Sequence, residues 1–213
     1  MLAYTAGLIA KIPARTVFPE NENLRIAGSV WGGEAVYGSV LTLQWRWAPL
    51  TSLANLAYSV DWRLSGGGTD LSGRASIGAR GYHLSRVSGQ ANGTLLDALL
   101  PTLPLSCRFD AEVAIDKLVF GGGSDEARGR MRTSPMRCGG RGMSERGADL
   151  PAMSGSIALD RGVSSGLLTS LSSHLRMIEI RLARSGELTV SPTENALRLA
   201  PALAGLRLST KLP

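Results

Sequence analysis

Few residues in this 213-residue chain have the type and spacing that catalysis requires. The two histidines, His83 and His174, each lie in a strand-like segment with no acid or nucleophile at a telling spacing. The glycine triplets at 66–68 and 121–123 lack the following Lys-Ser or Lys-Thr and the helix start of a phosphate loop. Acidic residues occur singly along the strands, so no acid–base pair can be located. The sequence therefore predicts no catalytic residue, no cofactor and no enzyme activity.

The two cysteines, Cys107 and Cys138, have two interpretations. Neither belongs to a CxxC pair and no histidine lies at ligand spacing, so the pattern argues against a metal site. In an oxidising compartment they would form a disulfide, whereas elsewhere they would be unrelated thiols. A strand over 107–120, a glycine turn and a return strand over 127–133 would bring the two positions close together, which makes a disulfide geometrically reasonable.

The composition is that of a folded domain. Apolar residues make up 44% and charged residues 19%, and 26 glycines separate short apolar runs. Lysine and arginine number 23 against 17 acidic residues, which gives a net charge of +6. The basic residues are spread along the chain without interleaved aromatic residues, so we expect no nucleic-acid partner. An anionic membrane surface fits this charge better.

The N-terminal segment is apolar and ends at Lys11. Its ten residues are too few for a bilayer, which needs roughly twenty. It is the remnant of a longer membrane anchor, a short interfacial segment or the first element of the fold. Pro13 and Pro19 mark residues 12–23 as a linker. We therefore divide the chain into an apolar segment and linker over 1–23 and a β-rich domain over 24–213.

The rest of the chain alternates polar and apolar residues in short runs separated by glycine turns. This pattern predicts a mainly β fold, an antiparallel meander that forms a curved or partly open sheet with one or two short helices. Helices are expected at 93–100, from leucines at helical spacing, and at 163–175. A mobile loop is expected at 137–149. Strands are expected throughout the remainder, including 107–120, 175–182, 187–190, 196–199 and 206–208.

All four tryptophans lie within the first 62 residues, in three segments that form a pattern. Gly28, Trp31 and Gly33 belong to a glycine-bracketed turn, and Trp45 and Trp62 belong to two later alternating strands. The turn resembles the Gly-Thr-Leu-Trp-x-Gly-x-Ala signature of protein N of the bacterial type II secretion system (the GspN family). The tryptophan strands, the leucine-rich helix and the hairpin after it also resemble that family, over most of residues 8–135.

The resemblance implies a non-enzymatic component of the secretion apparatus. Its β-rich domain would lie in the periplasm, the N-terminus would associate with the inner membrane, and its partners would be other secretion-system proteins. The periplasm would also favour a bridge between Cys107 and Cys138. The alternative is a lipid-handling β module of the bridge-like kind, with an apolar inner sheet face. A lipid is thus the one ligand left open, and no other small molecule is expected.

Overall fold

The structure is a computed structural model that describes residues 12–16, 23–79, 81–99, 105–121, 125–140, 148–160, 162–201 and 208–211. A 3-10 turn, Ala14–Thr16, precedes the first strand. The strands of the first half alternate polar and apolar residues, as half-buried strands do. They are β1 (Leu24–Ser29), β2 (Gly32–Tyr37), β3 (Leu41–Trp47), β4 (Tyr58–Gly66), β5 (Thr69–Gly78) and β6 (Gly81–Asn92).

The second half continues with shorter strands and more interruptions. Its strands are β7 (Leu105–Arg108), β8 (Asp110–Phe120), β9 (Glu126–Thr133), β10 (Met136–Gly140), β11 (Ala148–Leu150), β12 (Met153–Asp160), β13 (Val163–Ser170), β14 (Arg176–Leu182), β15 (Glu187–Pro192) and β16 (Leu208–Lys211). Three short helices connect strands: α1 (Pro49–Asn55), α2 (Gly93–Leu99) and α3 (Glu194–Leu199).

Thirteen strands form one antiparallel sheet in the order β1-β2-β3-β4-β5-β6-β8-β9-β12-β13-β14-β15-β16. The remaining strands form a second, three-stranded sheet in the order β11-β10-β7. The large sheet is open, since β1 and β16 stand at its two ends rather than pairing with each other. The predicted class, a mainly β antiparallel meander with a partly open sheet, is confirmed.

The helix predictions need three corrections. The described residues hold three short helices rather than one or two, because Pro49, expected only to end a strand, stands at the first turn of α1. The helix expected at 163–175 is wrong: most of that segment is β13, in which buried and exposed residues alternate. The strand expected at 196–199 is also wrong, because it belongs to α3, which buries Ala196. The helix at 93–100 is confirmed as α2, and Asn92 Oδ1 accepts a hydrogen bond from the Thr94 amide at its start.

Two further segments differ from the sequence prediction. The strand expected over 107–120 divides at Phe109 into β7 and β8, which belong to different sheets. The loop expected at 137–149 is partly ordered, because its two ends form β10 and β11. Arg137 and Asp149 lie opposite each other there and form an ion pair, with 2.7 Å between Nε and Oδ1. Residues 141–147 lie outside the described part of the chain.

The main buried cluster lies between the small sheet, α3 and the second half of the large sheet. Met136 of β10, Met153 of β12 and Met177 of β14 are at its centre, and the last two are fully buried. Methionine side chains are flexible enough to fill the irregular space where two sheets and a helix meet. The small sheet and α3 therefore cover one part of the large sheet's face and leave the rest uncovered by them.

Candidate functional site

Four of the five residues that resemble the secretion-family motif line up across four neighbouring strands, and Trp31 is the exception. Gly28 of β1 lies opposite Gly33 of β2, Gly33 lies opposite Trp45 of β3, and Trp45 lies opposite Trp62 of β4. Directly opposed residues in antiparallel strands point to the same face of the sheet. Residues separated by as many as 34 positions in the sequence therefore form one cross-strand row.

One glycine of this row, Gly33, makes room for an indole ring. A Cβ on Gly33 would lie 2.7 Å from Cζ2 of Trp45 and 2.3 Å from the Ala27 carbonyl oxygen. The Trp45 ring is held in place by its Nε1, which donates a hydrogen bond of 3.1 Å to the Ser29 carbonyl. Glycine at position 33 is thus required by the packing of Trp45, which supplies a physical reason for this part of the motif.

Trp31 has a different role from the other tryptophans of the pattern. It lies in the turn between β1 and β2 and is half-buried. Its ring packs edge-on against Trp47, with 4.7 Å between centroids, and against Tyr58, at 5.9 Å. The Tyr58 hydroxyl donates to the Val30 carbonyl, and burial raises the pKa of Tyr58. These three rings close one end of the sheet beside the turn.

A second row of apolar residues crosses nearly the whole sheet. Following the strand register from β1 to β15 places twelve residues side by side, and none of them is polar. Two of them are buried and the others are half-buried. At roughly 4.8 Å per strand the row is about 50 Å long. Its members are Ile26, Ala35, Leu43, Leu64, Leu71, Gly89, Val113, Met131, Gly155, Leu168, Ile178 and Pro192.

We call the side of the sheet that bears this row the apolar face. The next row along the strands points to the opposite side and is mostly polar, with Gln44, Arg63, Ser72 and Ser88 at its centre. The sheet therefore has one apolar and one polar face over almost its full width. Met131, Leu168 and Ile178 belong both to the apolar row and to the region packed by the small sheet.

A groove of about 250 Å³ lies on the apolar face, beside the part that the small sheet covers, and Met131 and Leu168 belong to its lining. A cross-strand row of isoleucines and glycines runs along it, with Ile115, Gly129, Ile157, Gly166 and Ile180 opposite one another in turn. The glycines have no side chains, so the backbone forms the floor between the isoleucines. The volume is below the roughly 300–1,000 Å³ of pockets that enclose drug-sized ligands. The shape and the lining suit a narrow apolar chain.

The polar face is held by cross-strand ion pairs. Arg74 and Asp61 lie opposite each other and form two hydrogen bonds of 2.6 and 3.0 Å. Hydrogen bonds from Arg74 hold the pKa of Asp61 below its usual range. Arg63 binds Asp70 in the same bidentate way and lowers the pKa of that carboxyl as well. These pairs orient side chains on exposed strands and contribute little to stability, because water screens them.

The cysteines form a disulfide that joins two strands of the small sheet. Cys107 of β7 and Cys138 of β10 are directly opposite each other, with 4.1 Å between their Cα atoms. The hairpin formed by β8 and β9 brings the two strands together, as the strand pattern indicated. Cys138 is buried within the methionine-rich cluster. The bridge thus fixes the layer that covers part of the apolar face.

The titratable residues singled out in the sequence lie apart from one another. His83 is in β6, opposite Ser76 and Val119, whereas His174 is in the turn before β14 rather than in a strand. Among the residues that the structure describes, no group of three or more His, Cys, Asp or Glu side chains could hold a metal ion. None of the helices in the described ranges has the length and apolar character needed to cross a bilayer.

The geometry defines an open β-sheet with one apolar and one polar face. The tryptophan–glycine motif lies in its first four strands. No protein-family model, curated protein or solved structure matches this chain. The sequence pattern identified the motif residues, but it did not identify the continuous apolar row. Alternation within each strand indicated which residues share a face. The row also depends on the register between strands, which the turn type fixes and which the positions of the glycines in the sequence do not reveal.

Proposed function

We propose that this chain is a non-enzymatic component of the bacterial type II protein secretion system. It associates with the inner membrane through its N-terminus, and its β-rich domain lies in the periplasm. It acts through contacts with other secretion-system proteins.

The observation that carries the proposal is the cross-strand row of motif residues. Gly28, Gly33, Trp45 and Trp62 were identified by their resemblance to the secretion-family pattern, and they lie opposite one another in one cross-strand row. The disulfide between Cys107 and Cys138 adds support, because such bonds persist in oxidising compartments such as the periplasm. The open sheet offers extended surface for protein contacts.

Deleting the gene in the bacterium that encodes this chain tests the proposal. We expect the proteins that use the type II pathway to accumulate in the periplasm and to return to the medium when the gene is restored. Unchanged secretion in the deletion strain would overturn the proposal. A chromosomal neighbourhood without other secretion-system genes would weaken it as well.

The apolar face favours a second candidate function, the handling of envelope lipids. A row about 50 Å long, at the strand spacing of a β-sheet, could hold acyl chains laid across the strands. The groove lined by Ile115, Ile157 and Ile180 offers an apolar site of suitable width. Burial of each methylene would contribute about 0.8 kcal/mol. Mass spectrometry of lipids extracted from the purified protein tests this function, and a preparation free of lipid that also fails to bind a fluorescent fatty acid would exclude it.

A further inference from the structure

Helix α1 presents its apolar residues to solvent rather than to the protein. Leu50, Leu53 and Leu56 are 83%, 73% and 90% exposed. Leu50 and Leu53, three residues apart, lie on one side of the helix, and Leu56 follows directly as its C-cap residue. We call these three residues the leucine tip. A surface helix normally turns its apolar side toward the core, so the orientation of α1 is reversed.

Polar side chains hold α1 in this orientation. Ser52 Oγ accepts hydrogen bonds from Trp47 Nε1 and the Ser59 amide and donates one to the Ala48 carbonyl. Thr51 Oγ1 accepts a hydrogen bond of 2.7 Å from Arg74 Nη1. The contacts of the helix with the sheet are therefore polar, and the leucines are left to face outward.

Leu56 reinforces this orientation at the end of α1. Its φ angle is +48°, in the left-handed region where glycine is favoured at a helix C-terminus. A leucine in this conformation combines backbone strain with nearly complete exposure of a large apolar side chain. Neither feature stabilises the free domain. Both are explained if the side chain is used in contact with something outside the protein.

The N-terminal segment enters the fold at the same place. The Val30 amide donates to the Ile12 carbonyl, and the Trp47 amide, two residues before α1, donates to the Trp31 carbonyl. Ile12, the Trp31 turn and α1 are therefore neighbours at one end of the sheet. The ten residues before Lys11 are predominantly apolar in sequence. The leucine tip is therefore close to the point at which the described part of the chain begins.

We propose that the leucine tip inserts into the surface of the inner membrane next to the N-terminal segment, as a second membrane contact. The inference deepens the membrane association proposed above and rests on it. Trp31, Trp47 and Tyr58 lie behind the tip, where aromatic residues with polar atoms favour the interface between lipid and water. Arg15 and Arg46 are exposed nearby and would attract anionic headgroups. The N-terminal segment and the tip together orient the sheet relative to the bilayer.

Flotation of the 213-residue chain with vesicles of phosphatidylethanolamine and phosphatidylglycerol tests the proposal. We expect the wild type to float with the vesicles and the triple variant Leu50→Ser, Leu53→Ser, Leu56→Ser to bind at least about tenfold more weakly, since three apolar side chains lose their burial. The matched control is Leu171→Ser with Leu175→Ser, exposed leucines at the opposite ends of the strands, which should bind like the wild type. Because the tip leucines are nearly fully exposed, we expect the thermal midpoint of the triple variant to match that of the wild type. The control leucines are 37% and 44% exposed, so a small decrease in the midpoint of that variant is expected.

A second pair of variants separates the two contacts. Leu8→Ser with Ile9→Ser weakens the N-terminal segment alone, and combining it with the triple variant should lower binding further than either set does. Equal vesicle binding by the triple variant and the wild type would overturn the proposal while leaving N-terminal association intact. Failure of the wild type to bind at all would overturn both. A wild-type dimer that the triple variant abolishes would assign the tip to contact between copies and would also overturn the membrane proposal.

Discussion

Gly33 and Trp45 lie directly opposite each other in β2 and β3, and the Trp45 indole occupies the space that a side chain at position 33 would need. The contact joins two parts of the motif that are twelve residues apart in the sequence. It shows that the glycine and the tryptophan form one packing unit, and it leads to a sharp mutational test.

Replacing Gly33 with alanine should destabilise the domain by about 1–3 kcal/mol, because the new Cβ would collide with the Trp45 ring and the Ala27 carbonyl. The matched control is Gly32→Ala. A Cβ there would meet the Trp45 carbonyl at 3.6 Å, an ordinary contact. Urea denaturation of the two variants measures the difference. Equal stabilities would show that the strands adjust without cost and that the motif glycine is not fixed by packing.

Removing the disulfide should lower stability by about 3–4 kcal/mol, the chain-entropy value for a loop of this length. The variant Cys107→Ala, Cys138→Ala supplies the measurement, compared with the wild type in guanidinium denaturation. A reductant should shift the wild-type midpoint toward that of the variant and leave the variant unchanged. If the wild type, unfolded and refolded in the presence of the reductant, keeps its denaturation midpoint, the disulfide contributes nothing to stability.

Replacing Trp31 with alanine should destabilise the domain by about 1–3 kcal/mol, less than a fully buried tryptophan would cost. The ring is half-buried, and its contacts with Trp47 and Tyr58 would be lost. Thermal unfolding followed by circular dichroism measures the change. If the variant is as stable as the wild type, Trp31 does not stabilise the fold and its ring belongs to a contact surface instead.

The ion pair between Asp61 and Arg74 should make a small, pH-dependent contribution. Because the pKa of Asp61 is lower in the folded state, this contribution is present above about pH 4 and is lost as the pH falls through the folded-state pKa. The Asp61 side chain is 57% exposed, so solvent screening limits the contribution to below about 1 kcal/mol. The free energies of unfolding of the wild type and of Asp61→Asn should differ at neutral pH and become equal in acid. Asp160→Asn, an exposed change elsewhere in the sheet, is the control, and a difference for Asp61→Asn that persists in acid would contradict the assignment.

A polar substitution on the apolar face should reduce lipid binding, if lipid handling is the function. Ile157→Asn places an amide in the groove, whereas Ala158→Asn places the same group on the opposite face one residue away, at an exposed position that does not line the groove. We expect the first variant to bind a fluorescent fatty acid at least about tenfold more weakly, from the loss of apolar contact. The second should bind like the wild type. Equal binding by both would locate any lipid elsewhere.

The strands of the first half could be predicted well because their patterns are local. In β3 and β4 every second residue is apolar, and glycines mark the turns, so alternation gave both the strands and their faces. The same rules missed α1, since Pro49 was interpreted only as the end of a strand. They also misassigned β13 and α3, whose short apolar runs fit either structure until tertiary contacts decide.

The candidate site was predictable only in part. Gly33, Trp45 and Trp62 were identified from the sequence, and the cysteine pair was correctly placed at the ends of a hairpin. The continuity of the apolar face could not be predicted, because it requires the register of every neighbouring strand pair. A shift of one residue at any turn would place Val113 or Leu168 on the other face.

The strand order has a consequence for how the protein folds. Strands β1 to β5 each pair with the strand that follows them in the sequence, so their contacts are local and can form early, while the chain is still being synthesised. Pairing first skips a strand at β6 and β8, because β7 leaves for the small sheet. Oxidation of Cys107 and Cys138 must then wait until the hairpin of β8 and β9 has brought their strands together. The first half of the molecule can therefore be assembled before its only pair of thiols is ready to react.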